Sequence, residues 1–424
     1  MDRPLDTMIA LDRRHFLASL AAAALSPGEA LSKTVAPATL QTLISNYVGT
    51  KRLAGAAVAL TTGNGRPKIL KAGRVAFDAD LAFDEHSVCR VYSMTKPVTG
   101  LAAMLLVESG KLRLDQPVAD IVPELQKPLV ALDPKRGLEA RAATRTMTIR
   151  HLLTHTAGLA YWIPSQGTDA LSTAYRARGI TPGNYYPTEL ARPSYGPQAN
   201  GLEDMVARLG EIPLVAEPGT MWRYSVGLDV MGLVIERVSG KPLDAFTHEH
   251  FFAPLKMRST GFVVPRSATS RLTTNYTVTP TGLVPLDRRE LSVFLKPPRL
   301  LAGGAGLVST AHDFSRFGAM LLNEGKLDGV RVLRAETVRL AVSNLLPSSV
   351  KYDGGGFGAG MRVATGGPKP RDSKGAVSWN GAAGTMWIVD STRKLNFVFM
   401  SQFMPPTSYL IWDEASSALQ SMGL

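Results

Sequence analysis

Arg90-Val91-Tyr92-Ser93-Met94-Thr95-Lys96-Pro97 stands where an extended sequence pattern gives way to a helical one. After Tyr92 the apolar residues Val98, Leu101, Ala102, Leu105 and Leu106 recur at helical spacing, and Gly110 ends the run. Pro97 is tolerated near a helix start, where its missing N–H leaves no hydrogen bond unmade. Ser93 and Lys96 therefore lie three residues apart at the start of a helix, sharing a face, so the amine can reach the hydroxyl. The positive end of the helix dipole favours negative charge developing on the serine oxygen. Serine is a poor nucleophile without an adjacent base, and a lysine can serve where desolvation or cationic neighbours favour its neutral form. Taken by itself, Ser-x-x-Lys also arises by chance, as a capping serine followed by a solvated lysine.

Working outward, Leu40, Leu43, Ile44 and Tyr47 predict a helix over 37–50, with Pro37 in its first turn. Ala54 to Thr62 and Lys68 to Val75 read as a hairpin around Gly63-Asn64-Gly65-Arg66-Pro67. From about 110 to 300 the pattern is one of helical fragments and long loops, including a helix led by Leu228 to Ile235 that ends at Ser239-Gly240. Strand signals return at Gly360 to Val363, Ala376 to Trp379, Thr385 to Val389 and Leu395 to Ser401, and a last helix runs from about Tyr409 to Ser421. Strands at both ends around a helical middle predict an α/β fold in which one lobe is built from both termini and a helical lobe is inserted between them.

Five further stretches occur in order with the first: Leu114-Asp115-Gln116-Pro117-Val118, Thr148-Ile149-Arg150-His151-Leu152-Leu153-Thr154-His155-Thr156-Ala157-Gly158-Leu159, Glu217-Pro218-Gly219-Thr220-Met221-Trp222-Arg223-Tyr224-Ser225, Gly303-Gly304-Ala305-Gly306-Leu307 and Trp379-Asn380-Gly381. Together they closely resemble the serine β-lactamase and penicillin-binding-protein superfamily, and within it the class C-related esterases called family VIII carboxylesterases. The resemblance covers nearly all of the chain after its first 30 residues. It implies a β-lactamase/transpeptidase-like fold, an antiparallel sheet flanked by helices, with an α/β lobe from 37–92 and 305–424 and a mostly helical lobe from 93–304, all one catalytic domain. It implies Ser93 as the acylated nucleophile, Lys96 as its partner and Tyr224 as the tyrosine of the second motif. An ammonium beside a phenol favours the phenolate, so Lys96 and Tyr224 can share one proton and pass it to the leaving alcohol; either can be the formal base. By the same resemblance the backbone N–H groups of Ser93 and Ala382 form the oxyanion hole, and Trp379 and Gly381 border the substrate. Gly381 to Gly384, all Gly or Ala, would let a substrate approach the strand closely.

Two departures bear on the substrate. Val226 stands where class C β-lactamases carry an asparagine that contacts the substrate amide, and Trp379 where they carry a lysine. Losing a charge-assisted contact costs about 1.5–3 kcal/mol, roughly one to two powers of ten in binding. Ester hydrolysis needs neither group, so the expectation is a serine carboxylesterase acting through an acyl-enzyme on a small-molecule ester, with no cofactor. The alternatives are a β-lactamase or D-amino-acid peptidase of the same fold, an acyltransferase, and a non-catalytic cell-wall binding domain. A Gly-x-Ser-x-Gly elbow is absent, the nearest fragments around Ser194 and Ser225 lacking the first glycine.

Tyr161, Trp162, Tyr175, Tyr185, Tyr186 and Tyr195 crowd one Pro-rich segment. It reads equally as the lining of a cleft for an apolar acyl group, with Tyr161 and Trp162 against the substrate, and as a loop pinned by its aromatics. His151 and His155 are one helical turn apart, but no glutamate follows His151, so no zinc-protease pattern forms and no metal is expected.

Of the 424 residues, 45% are hydrophobic, 47 are Lys or Arg and 35 Asp or Glu, a net charge of +12. This apolar mass builds a sizeable core and excludes disorder as the dominant state. Arg13-Arg14-His15-Phe16-Leu17 followed by Ala18 to Leu25 and Ser26-Pro27-Gly28 resembles a bacterial twin-arginine signal over residues 1–30, which predicts periplasmic or secreted localisation. Without those residues the balance is 44 basic to 31 acidic, or +13. The charges are dispersed, with no basic run or aromatic-interleaved stripe, so no nucleic-acid partner is expected. No later stretch reaches about 18 apolar residues, so no stable membrane insertion is expected, and no oligomeric state is assigned. Cys89 is the one cysteine, so no disulfide can form within the chain, and four residues before Ser93 it reads as a small buried hydrophobe.

Overall fold

The apolar runs Thr385–Asp390 and Leu395–Met400 are buried at every position, as strands covered on both faces must be. The computed structural model describes residues 40–63, 65–161, 169–181, 183, 196–367 and 372–422. Strands β1 (Gly55–Thr62), β2 (Lys68–Gly73), β3 (Gly356–Phe357), β4 (Arg362–Val363), β5 (Val377–Gly381), β6 (Thr385–Asp390) and β7 (Leu395–Met400) form one seven-stranded sheet. Its order is β3-β4-β5-β6-β7-β1-β2, antiparallel throughout. The early and late parts of the chain meet where β1 pairs with β7, Ala57 opposite Met400 and Leu60 opposite Phe397.

Five helices matter to the site: α1 (Leu40–Gly49), α2 (Thr95–Glu108), α3 (Gly227–Ser239), α4 (Ala311–Leu322) and α5 (Ile411–Ser421). The period-2 alternation of a strand divides the sheet's side chains between two cores. Trp387, Val389, Val398 and Met400 face one side, where Phe314 and Phe317 of α4 pack around the Trp387 indole. Met386, Ile388, Phe397 and Phe399 face the other, against Leu43, Ile44 and Tyr47 of α1 and Ile411, Ala415 and Leu419 of α5. Each fully buried Phe or Leu contributes roughly 1.5–3 kcal/mol through the water it leaves. Helix α2 packs against α3, and both belong to the larger core.

The predicted helices and strands appear with ends shifted by a few residues. The middle of the chain differs: besides helices it holds two antiparallel hairpins, Leu129–Ala131 with Ala140–Ala142 and Asn275–Thr279 with Gly282–Asp287. The second closes through Pro280-Thr281 and is extended by a parallel strand, Phe403–Met404. The described residues all belong to one unit, Ala38–Leu424, and none of their helices is long and apolar enough to cross a membrane. The twin-arginine segment lies outside the described residues.

Candidate active site

Ser93 emerges from a short strand, Cys89–Arg90, and a single 3-10 turn, Tyr92–Met94, that runs directly into α2. Tyr92 has φ of 40°, a conformation that a bulky residue adopts only when its surroundings enforce it. Its ring is packed edge-on to Phe294 at 6.3 Å between ring centres. Lys96 is fully buried. Its Nζ donates to Ser93 Oγ at 3.4 Å and to the Gly304 carbonyl at 2.7 Å. Tyr224 Oη lies 2.7 Å from Ser93 Oγ, and the Tyr224 ring centre is 4.6 Å from Lys96 Nζ. The three groups therefore meet around one hydroxyl, although Tyr224 is 131 positions from Ser93.

The glycine-rich run 303–307 reaches Lys96 because α2 and α3 hold it from two sides. Thr99 Oγ1 donates to the Gly303 carbonyl and Thr95 Oγ1 accepts the Leu307 N–H. On the other side the Gly304 N–H donates to Asp229 of α3 at 2.9 Å. A side chain at Gly303 would collide with the Leu228 carbonyl, so the absence of a Cβ is what permits this approach.

Tyr224 is held in a shell of rings. The Tyr161 ring stacks on it at 5.0 Å, His155 meets it edge-on at 4.9 Å, and Trp379 lies 5.7 Å away. His155 is buried, and its Nδ1 accepts the Ser225 N–H at 3.2 Å and lies 3.0 Å from Ser225 Oγ. Burial first, and the Lys96 charge second, push its imidazole well below the ordinary histidine range. It is neutral at working pH, and it fixes the residue after Tyr224. Val226 is buried, and its N–H is tied to the Ala160 carbonyl, so this position offers the cleft no polar side chain.

The edge of β5 comes to Ser93 through Gly381. A Cβ there would strike the Val91 carbonyl, so only glycine lets the strand lie against the turn that carries Ser93. Ala382 follows, half-buried, and among the described residues neither its N–H nor that of Ser93 has an acceptor. Beyond Trp379 the ring contacts continue through the fully buried Phe357 to Trp222 and Tyr352, with Trp222 and Tyr352 4.3 Å apart.

Of the residues singled out in the sequence, the structure brings Ser93, Lys96, Tyr224, Trp379, Gly381 and Tyr161 to one place. Tyr161 is packed under Tyr224 at 2% exposure, and Tyr175 Oη accepts the Ala160 N–H; both belong to a pinned segment. Trp162, Tyr185, Tyr186 and Tyr195 lie outside the described residues. His151 accepts the Thr148 N–H at its helix start, and burial lowers it to about 4. Cys89 is buried, and burial pushes its thiol up to about 12, so it is inert at neutral pH.

Sequence reasoning gave no role to Arg90, Gln402 or Asp229. Arg90 is fully buried, paired with Asp287 and bonded to Ser292 and the Thr273 carbonyl. Gln402 accepts the Arg90 N–H at 3.0 Å and donates to its carbonyl at 3.1 Å. Thus the second hairpin and the end of the sheet grip the strand three residues before Ser93. The one signal was a charged residue leading into an apolar motif.

This fold, with a serine, a buried lysine and a tyrosine meeting at its core, is that of the penicillin-recognising serine enzymes. The chain belongs to the Beta-lactamase family, whose model matches residues 40–419. It is 30% identical to Esterase EstB of Burkholderia gladioli, over 86% of this chain and 90% of that one. Protein Rv1367c of Mycobacterium tuberculosis is 34% identical, over 81% and 85% of the two chains. Among solved structures, "EstCE1, a hydrolase with promiscuous acyltransferase activity" superposes with a TM-score of 0.71 at 25% identity, covering 89% of this chain and 97% of that one. The protein is a β-lactamase-fold serine hydrolase with esterase relatives.

Proposed function

We propose that the protein is a serine carboxylesterase that works through an acyl-enzyme on Ser93. The observation that carries the reading is the placement of one hydroxyl between Tyr224 Oη at 2.7 Å and the buried Lys96 Nζ at 3.4 Å. Ser93 Oγ attacks the ester carbonyl carbon while its proton passes to the Tyr224–Lys96 pair. The N–H groups of Ser93 and Ala382 receive the oxyanion as the carbonyl π bond opens. When the intermediate collapses, the bond to the alkoxide breaks, and the same pair returns the proton to the leaving alcohol. Water then repeats the sequence against the acyl-enzyme and frees the acid.

Support for esters over β-lactams comes from Val226 and Trp379, which supply neither the amide contact nor the positive charge a β-lactam would use. The likeness to EstB and EstCE1 points the same way. Purified protein should hydrolyse short p-nitrophenyl esters with kcat/KM at least about tenfold above that for nitrocefin, the size of one lost charge-assisted contact. Nitrocefin turnover equal to or above ester turnover would overturn the assignment. We further propose that residues 1–30 direct twin-arginine export, supported by Arg13-Arg14 before the short apolar run. Replacing both arginines by lysine should then hold the protein in the cytoplasmic fraction of a bacterial host.

A further inference from the structure

Asp229 is fully buried at 1% exposure, in the first turn of α3, five residues after Tyr224. It is the only charged residue in the run from Gly227 to Ile235. A carboxylate in such a place is costly unless its charge is used. Its Oδ1 accepts the Gly304 N–H at 2.9 Å, while Oδ2 has no hydrogen-bond partner among the described residues. The same glycine's carbonyl receives the Lys96 Nζ at 2.7 Å. Asp229 and Lys96 are thus held on the two sides of one residue, and an added Cβ at Gly304 would lie 2.6 Å from Asp229 Oδ2. Lys96 forms no direct ion pair among the described residues, and Asp229 feels its charge across Gly304.

Resting on the reading of Ser93, Lys96 and Tyr224 as the reacting groups, we propose that Asp229 is a positioning residue for Lys96. It anchors the Gly303-Gly304 backbone that holds the amine against Ser93, and it supplies the buried negative charge that offsets the ammonium. Burial pushes its carboxyl up to about 6, with the Lys96 charge and the Gly304 N–H acting against that rise. It is therefore largely ionised at pH 7. Asp229 touches neither substrate nor Ser93; it acts through Lys96.

Asp229→Asn keeps the shape and an acceptor for Gly304 but removes the charge. The test compares it with the wild type in turnover of p-nitrophenyl butyrate, in the rate of Ser93 labelling by a serine-directed phosphonate, and in Tm at pH 7. The expected result is a kcat at least tenfold lower, a KM within about twofold, labelling slowed by a similar factor, and no loss of Tm. A structural role alone predicts the reverse: a lower Tm, with kcat and labelling rate unchanged while the variant is folded. Unchanged kcat and labelling, or loss of activity only in step with loss of Tm, overturns the proposal. Should Asp229→Asn not fold, Asp229→Ala gives the same readouts, and failure of both to fold assigns the residue to stability and likewise overturns it. Absence of ester turnover in the wild type would instead count against the esterase reading, and the labelling rates of the two proteins would still decide the role of Asp229.

Discussion

At the scale of single residues, the sharpest consequence concerns Tyr224. Under the proposed mechanism its hydroxyl, 2.7 Å from Ser93 Oγ, takes part when the proton moves, so Tyr224→Phe should lower kcat by about two to three powers of ten. KM should change by less than about threefold, and steady-state kinetics on a short ester would show this directly; an unchanged kcat removes Tyr224 from the reaction. Asp229 carries a second expectation, in stability. Its carboxyl is raised from 3.8 to about 6, so the folded protein holds that proton at pH values where the unfolded chain has released it. Stability from this group is present at low pH and is lost as pH rises through 6, a cost of about 3 kcal/mol by pH 7. Asp229→Asn should therefore melt no lower than wild type at pH 7, and the difference should shrink toward pH 4. The spacing of Ser93 and Lys96 shows that they can share one helical turn, but their pairing became legible only together with the neighbouring motifs. Tyr224 was legible only through motif resemblance, and Asp229 not at all, because an acid in a helix's first turn is ordinary and its burial depends on Gly304, 75 positions away.

At the scale of elements, the segment ends fix the site more than the segments do. The β5 edge reaches the turn of Ser93 only because Gly381 has no side chain, so Gly381→Val should push the strand from Val91 and, on the proposed mechanism, reduce ester turnover at least a hundredfold, beyond its effect on Tm. The helix Ile149–Leu153 holds His151 neutral, its proton affinity lowered to about 4 by burial, with Arg145 adding to the effect. Such a group contributes stability above pH 6.5 that is lost as pH falls toward 4, because the unfolded chain takes up the proton first. His151→Gln keeps the reach back to Thr148 without titrating, so its Tm should fall less than that of wild type between pH 6.5 and 4. The long apolar strands and amphipathic helices were readable from periodicity. The Asn275–Asp287 hairpin was not, although Pro280-Thr281-Gly282 marks its turn, because its value lies in a distant partner. It brings Asp287 to Arg90 across 197 positions, a pairing that no local pattern announces.

At the scale of the whole molecule, one seven-stranded sheet joins the early and late parts of the described chain, and Ser93, Lys96 and Tyr224 gather where α2, α3 and the β5 edge converge. The aromatic cluster of Trp379, Phe357, Trp222 and Tyr352 packs beside Tyr224, with Phe357 fully buried among the other rings. Its members come from separate stretches of sequence, which is why no cleft could be drawn from the tyrosine-rich segment alone. The central claim is that Ser93 becomes covalently acylated, and intact-protein mass spectrometry after exposure to an activated phosphonate ester tests it most directly. The account predicts one adduct per chain, mapped to Ser93 and absent in Ser93→Ala. An unmodified wild-type mass, or an adduct that persists in Ser93→Ala, would contradict it.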